Sequence, residues 1–140
     1  MSKLPVLVRL HRRRLGEARG NLAACEAARE ELSSRLAAFH GTMNLERRAT
    51  RGSLEATRVY PAFAERMRSV ADALARAIAE ADVAVDQASE LLAARFRELK
   101  TYELALEAEA EKQRSTEARR ERSELDEIAA DRARRTAAAR

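Results

Sequence analysis

Residues 8–43 read VRLHRRRLGEARGNLAACEAAREELSSRLAAFHGTM. Taken in alternating steps of three and four, this stretch puts Val8, His11, Leu15, Ala18, Leu22, Cys25, Arg29, Leu32, Leu36, Phe39 and Met43 on one line. Only His11 and Arg29 interrupt its apolar character. Apolar residues at such spacing keep one seam of a helix turned toward a partner helix and impose a slight supercoil. The stretch therefore predicts a coiled-coil helix, in a protein whose role lies in what its helices touch rather than in a catalytic pocket.

Working outward, Pro5 suits the first turn of this helix, where a missing N–H costs nothing. Gly16 and Gly20 weaken the first section by ~1 kcal/mol each relative to Ala. Periodicity is poor in GTMNLERRATRGSLEATRVYP, residues 41–61, where Ser53 is placed to cap a short last turn. Pro61 pushes the residue before it toward extended backbone, so Tyr60 is expected to be extended and Pro61 to open a new helix. Helix one is thus expected over about 5–57, a turn over about 58–61, and helix two over about 61–135.

The apolar series resumes through Phe63, Met67, Val70, Leu74, Ala77, Ala81, Ala84 and Ala88. It then slips through Leu92, Phe96 and Leu99, a stutter that locally unwinds a supercoil, and continues weakly at Leu106 and Ala110. No Gly and no further Pro interrupts the chain from Pro61 to Arg135, and a helix that long spans roughly 110 Å. If the chain folds back, the facing residue numbers are expected to sum to roughly 116. Arg12, Arg13 and Arg14 then lie near Glu103, Glu107 and Glu109, and Glu26, Glu30 and Glu31 nearer Arg95 and Arg97. Beyond about residue 114 the second helix has no partner within the chain, and pairs such as Glu117–Arg120 and Asp131–Arg135 support it by ~0.2–0.5 kcal/mol each. The expected fold is all-α: a long two-helix antiparallel coiled-coil hairpin with a longer second helix, forming a single coiled-coil domain over residues 1–140.

Composition agrees. Of 140 residues, 36% are charged and 4% aromatic, with no Trp, too few large and β-branched residues for a sheet core. Residues 1–60 carry 12 basic and 6 acidic groups, residues 61–110 carry 6 and 10, and residues 111–140 carry 9 and 7. Signs so interleaved mark solvated helix faces, whereas a nucleic-acid binder gathers its Lys and Arg on one face. The lone Cys25 lies on the seam and reads as a small buried hydrophobe. The start has neither a secretory signal nor a span-length apolar run, so a cytosolic protein is expected.

No phosphate loop, HExxH or nucleophile elbow is present, and His11 and His40 have no catalytic partner beside them in sequence. No catalytic, cofactor-binding or metal-binding residue is assigned. Three surfaces remain. The hairpin end gathers Phe39, Met43, Leu54, Tyr60, Phe63, Met67 and Val70, which either close the tip or form a docking face. At the open end, the basic N-terminus is either paired within the hairpin or an electrostatic foot for an acidic partner. The C-terminal overhang, with Leu125 and Ile128, is either a frayed tail or a helix ordered by a partner.

Over nearly its whole length the chain resembles the FliJ family of flagellar type III export proteins. The resemblance rests on the Arg-rich start, the aromatic-x-x-Phe element Tyr60–Phe63, the step Lys100–Glu103, and Asp126, Glu127 and Ala129 ahead of Arg132, Arg134 and Arg135. It implies a non-enzymatic, cytoplasmic hairpin, peripheral at the inner face of the cell membrane at the flagellar base and serving motility and chemotaxis. Its implied partners are the hexameric flagellar export ATPase, the cytoplasmic domain of the export-gate membrane protein, and export chaperones. Carried onto this sequence, the ATPase-facing residues are Arg12, Arg13, Arg14, Asp126, Glu127, Arg132, Arg134 and Arg135. The gate-facing ones are Phe39, Met43, Tyr60, Phe63, Met67 and Val70. The Ala-rich second helix and Pro61 depart from the family pattern. Other readings are the equivalent stalk of a virulence type III secretion system and a structural coiled coil with no export role.

Overall fold

The computed structural model describes residues 2–140, apart from the side chain of Ala56. It contains two helices, α1 (Leu4–Thr50) and α2 (Leu54–Ala138), of 47 and 85 residues. They pack against each other as a helical hairpin. Two compact units each combine parts of both helices. One joins the chain start through Arg12 to Arg97–Arg140, and the other is Arg13–Phe96, which contains the turn.

The heptad line is the inward face of α1. Val8, His11, Leu15 and Ala18 are buried, and Leu22, Cys25, Leu32, Leu36, Phe39 and Met43 are half-buried. On α2, Ala88 and Leu99 are buried, with Leu74, Ala77, Ala81, Ala84, Leu92 and Leu106 half-buried. Small Ala side chains at these steps leave a thin core, so stability comes from a long narrow stripe rather than a thick interior.

The two polar interruptions of the α1 seam each meet a residue of α2. In the unit that holds the chain start, the His11 ring stacks on Tyr102, with centroids 4.5 Å apart and planes 15° from parallel. Its buried Nδ1 makes no hydrogen bond, and the nearest carboxylate oxygen, Glu98 Oε2, is 3.5 Å away. Arg12 donates to Glu103 at 3.3 Å, the pairing expected of it. Ser2 Oγ accepts the Leu4 N–H at 3.1 Å, satisfying a free amide of the first turn, and donates to Glu109 Oε2 at 2.7 Å. In the turn-containing unit, Arg29 Nε donates to Asp82, and Arg47 Nε donates to the Tyr60 hydroxyl at 3.3 Å.

Three expectations are corrected. The turn lies at residues 51–53, not 58–61. The Arg51 and Ser53 amides reach back to the carbonyls of Arg48 and Thr50, tightening the end of α1, and the Ser53 carbonyl accepts the Thr57 N–H at 3.1 Å to open α2. Gly52, a poor helix former, followed by Ser53, a good cap, thus outweighs the proline. No glycine among the described residues has positive φ, so the reversal needs no left-handed residue. The earlier turn also lowers the register: Arg29–Asp82 and Arg47–Tyr60 have smaller sums than expected.

Second, Pro61 lies inside α2, and Tyr60 is helical rather than extended. Proline here deletes the N–H that would bond the Thr57 carbonyl and crowds that carbonyl with its ring, but both residues are exposed, so the oxygen can tilt outward to water. Pro61→Ala is therefore expected to raise the melting temperature. The helix gains up to ~3 kcal/mol, less ~0.4–1 kcal/mol of added freedom in the unfolded chain. Thermal circular dichroism checks this, and a lower melting temperature would count against a continuous α2.

Third, Phe96 is not on the seam: it is 52% exposed, while Arg95 beside it is partly covered. The stutter falls one step earlier, across Ala84, Ala88 and Leu92, after which regular spacing returns at Arg95, Leu99, Tyr102 and Leu106. Leu92 and Leu99 belong to both spacings, so the pattern differs only in whether Arg95 or Phe96 lies between them, and the apolar Phe96 is the wrong guide there.

Candidate functional site

In the unit Arg13–Phe96, Phe39, Met43, Phe63 and Met67 are half-buried on the facing seams next to the turn. They mainly close the hairpin. Tyr60 and Phe63 approach at 6.4 Å with their rings tilted by 46°. Tyr60 borders two shallow slots of about 190 and 200 Å³, one shared with Glu46, Thr50, Val59, Phe63 and Arg66, the other with Arg47, Thr50, Arg51 and Thr57. Val70 is exposed. The set expected to face the gate is thus split between seam and surface, and its outward members are Val70 and the rim of Tyr60.

Other residues at the turn present more apolar surface. Leu45 is 67%, Leu54 77% and Val59 61% exposed. Leu54 is legible in the sequence as part of the hairpin end, whereas Leu45 and Val59 are not. The available signal was that both are large apolar residues off the heptad step, in a segment where the period fails.

The residues assigned to the ATPase are all exposed. Arg12 is held by Glu103, and Arg13 pairs with Glu17 one turn on at 3.4 Å. Arg14 lines a shallow groove with Glu17, Ala18, Asn21, Leu91 and Arg95. In the other unit, α2 from Glu111 to Ala138 is exposed throughout except at Asp131, which pairs with Arg135 at 3.2 Å. Asp126, Glu127, Arg132 and Arg134 project from this segment into solvent, with Leu125 and Ile128 among them. The seam steps beyond Ala110 fall on Gln113, Glu117, Arg120 and Glu124, so the heptad stripe turns polar where α1 is no longer alongside. Among the described residues no group of His, Cys, Asp or Glu is arranged to hold a metal ion.

The family described as Flagellar FliJ protein matches residues 1–138. The chain belongs to the FliJ family. Membership makes it a component of flagellar type III protein export and bears out the resemblance in the sequence. No curated protein and no solved structure matches the chain. FliJ-family membership also favours a flagellar over a virulence system, and a structural part in export over a catalytic one. No helix among the described residues is long and apolar enough to cross a membrane.

Proposed function

We propose that this chain is the stalk-like coiled coil of the flagellar export apparatus. It links the hexameric export ATPase to the cytoplasmic domain of the export-gate membrane protein and escorts export chaperones. It works without catalysing a reaction, in the cytoplasm and peripherally at the membrane of the flagellar base, and motility and chemotaxis depend on it. The observation that carries this reading is the α2 segment from Glu111 to Ala138, a charged helix exposed at every residue but Asp131. A segment of alternating Glu, Asp and Arg with a polar seam is suited to a charged groove or ring rather than to another heptad helix.

The ATPase-facing groups are Arg12, Arg13 and Arg14 with Asp126, Glu127, Arg132, Arg134 and Arg135. The gate-facing groups are Tyr60 and Val70 at the surface, supported by Phe39, Met43, Phe63 and Met67 beneath. Calorimetry of the purified chain against the export ATPase, and separately against the gate's cytoplasmic domain, tests the two arms. The double variant Asp126→Arg, Glu127→Arg is expected to weaken the first titration about tenfold and to leave the second unchanged. Equal loss in both, or in neither, would contradict the assignment.

A further inference from the structure

The second helix carries its inward pattern twice. In the unit Arg13–Phe96, the covered α2 seam runs through Leu74, Ala77, Ala81, Ala84, Ala88 and Leu92. One turn beyond each of these stand Ile78, Ala81, Val85, Ala88, Leu92 and Phe96, apolar at every step. Ile78 and Val85 are half-buried, and Phe96 is 52% exposed. The α1 line has no such copy: one turn beyond Leu22, Cys25 and Leu36 come Glu26, Arg29 and His40. A single line on α1 therefore faces two on α2, and apolar burial does not single out one of them.

The polar partner is doubled at the same step. Arg29, the charged interruption of the α1 line, donates to Asp82, and Asp86 lies one turn on, exposed and in no ion pair among the described residues. The other unit repeats the arrangement: Arg12 is held by Glu103, with Glu107 exposed one turn on. A wide apolar face alone would serve a third helix equally well. A spare carboxylate at the same spacing as the spare apolar line points instead to a second pairing of α1 with α2. Pro61 supplies the chain that such a pairing needs. Moving α2 one turn toward the hairpin end passes residues into the connection, which lengthens from residues 51–53 to about 51–57 at modest entropic cost. Helix α2 then starts close to Pro61, and proline is favoured in a first turn, whereas in a helix interior it crowds the turn before it. The bond from Arg47 to the Tyr60 hydroxyl is given up, and Phe96 is covered.

We propose that α1 and α2 have a second register, one helical turn or ~6 Å on, in which Arg29 pairs with Asp86 while Ile78, Val85 and Phe96 enter the seam. Ratchets of one element past another by a single turn are a known way for packed helices to switch between two discrete states. The slide would regulate the coupling role proposed above, and it rests on that reading only for its use. Its existence is read on the chain alone, without ATPase or gate, so the two readings fail separately.

Double electron–electron resonance on the full chain tests it. Spin labels on Ala28→Cys in α1 and Arg68→Cys in α2, both exposed positions, are attached in a Cys25→Ala background. The labels are well separated along the helix axis, so the slide lengthens the distance between them by ~5 Å. This parent is expected to give one dominant distance. Asp82→Asn should raise the share of the longer distance about threefold, because Asp86 then holds the better carboxylate for Arg29. Asp82→Asn together with Asp86→Asn should return the parent distribution. Phe96→Ser added to Asp82→Asn should suppress the longer distance, although Phe96 is largely exposed in the present register. Pro61→Ala should deplete it by strengthening the helix ahead of residue 61. Circular dichroism confirms that each variant stays helical. A single unchanged distance in Asp82→Asn would overturn the proposal. So would a longer distance that survives both Asp86→Asn and Phe96→Ser, since loosened helices rather than a second register would then be its cause.

Discussion

Replacing Leu15 with Asp is expected to abolish cooperative helical melting. Leu15 is 5% exposed on the α1 seam of the turn-containing unit. Truncating a buried Leu costs ~2–5 kcal/mol. A carboxylate there would also have to be desolvated without a partner or draw water into the seam, adding ~1–3 kcal/mol or more. Few residues of the hairpin are fully buried, so a loss of that size is comparable with the whole stability of ~5–15 kcal/mol typical of a domain. Far-ultraviolet circular dichroism should show reduced helix at room temperature and a broad melt. Leu10→Asp, on the exposed side of the same helix, is the control and should shift stability by no more than ~0.5 kcal/mol. If the two variants melt alike, the stripe is not what holds the helices together.

Reversing the basic cluster, as Arg12→Glu, Arg13→Glu, Arg14→Glu, is expected to have the largest effect on binding. The pairs lost within the chain are Arg12–Glu103 and Arg13–Glu17, both largely exposed and worth ~0–1 kcal/mol each. Helicity should therefore survive, and the melting temperature should fall only slightly. Association with the export ATPase should weaken by about tenfold to a hundredfold, with the change concentrated in the association rate and strongest at low salt. Unchanged affinity would remove this cluster from the ATPase-facing surface. A loss that salt does not modulate would point to an apolar contact.

The parts of the fold legible in the sequence are those that depend on repetition. Eleven successive heptad positions on α1 identify the face that turns inward, and the structure covers all of them except Arg29. What repetition could not supply was the partner of each exception. His11 and Arg29 looked like flaws in a stripe. They are accommodated by Tyr102 and Asp82 on the other helix, residues far off in sequence that only the true register brings near. The register is hidden in the sequence because Pro61 is the stronger local breaker, although Gly52–Ser53 supplies both a weak helix point and a cap. At the candidate surfaces, charge was readable, because exposed Arg and Glu are exposed in almost any helical arrangement. The exposure of Leu45 and Val59 near the turn was not, because off-period apolar residues in an irregular stretch acquire meaning only once the turn is fixed.

The central claim is that each chain pairs its own two helices across the seam. Cross-linking tests it most directly. In a Cys25→Ala background, Arg29→Cys and Asp82→Cys put two thiols where an interhelical contact now stands. Treated with a short bis-maleimide, the protein should give a single linked species at the monomer mass of 15.6 kDa, independent of protein concentration. Linked dimers whose yield rises with concentration would show that the helices pair between chains, and would contradict the hairpin.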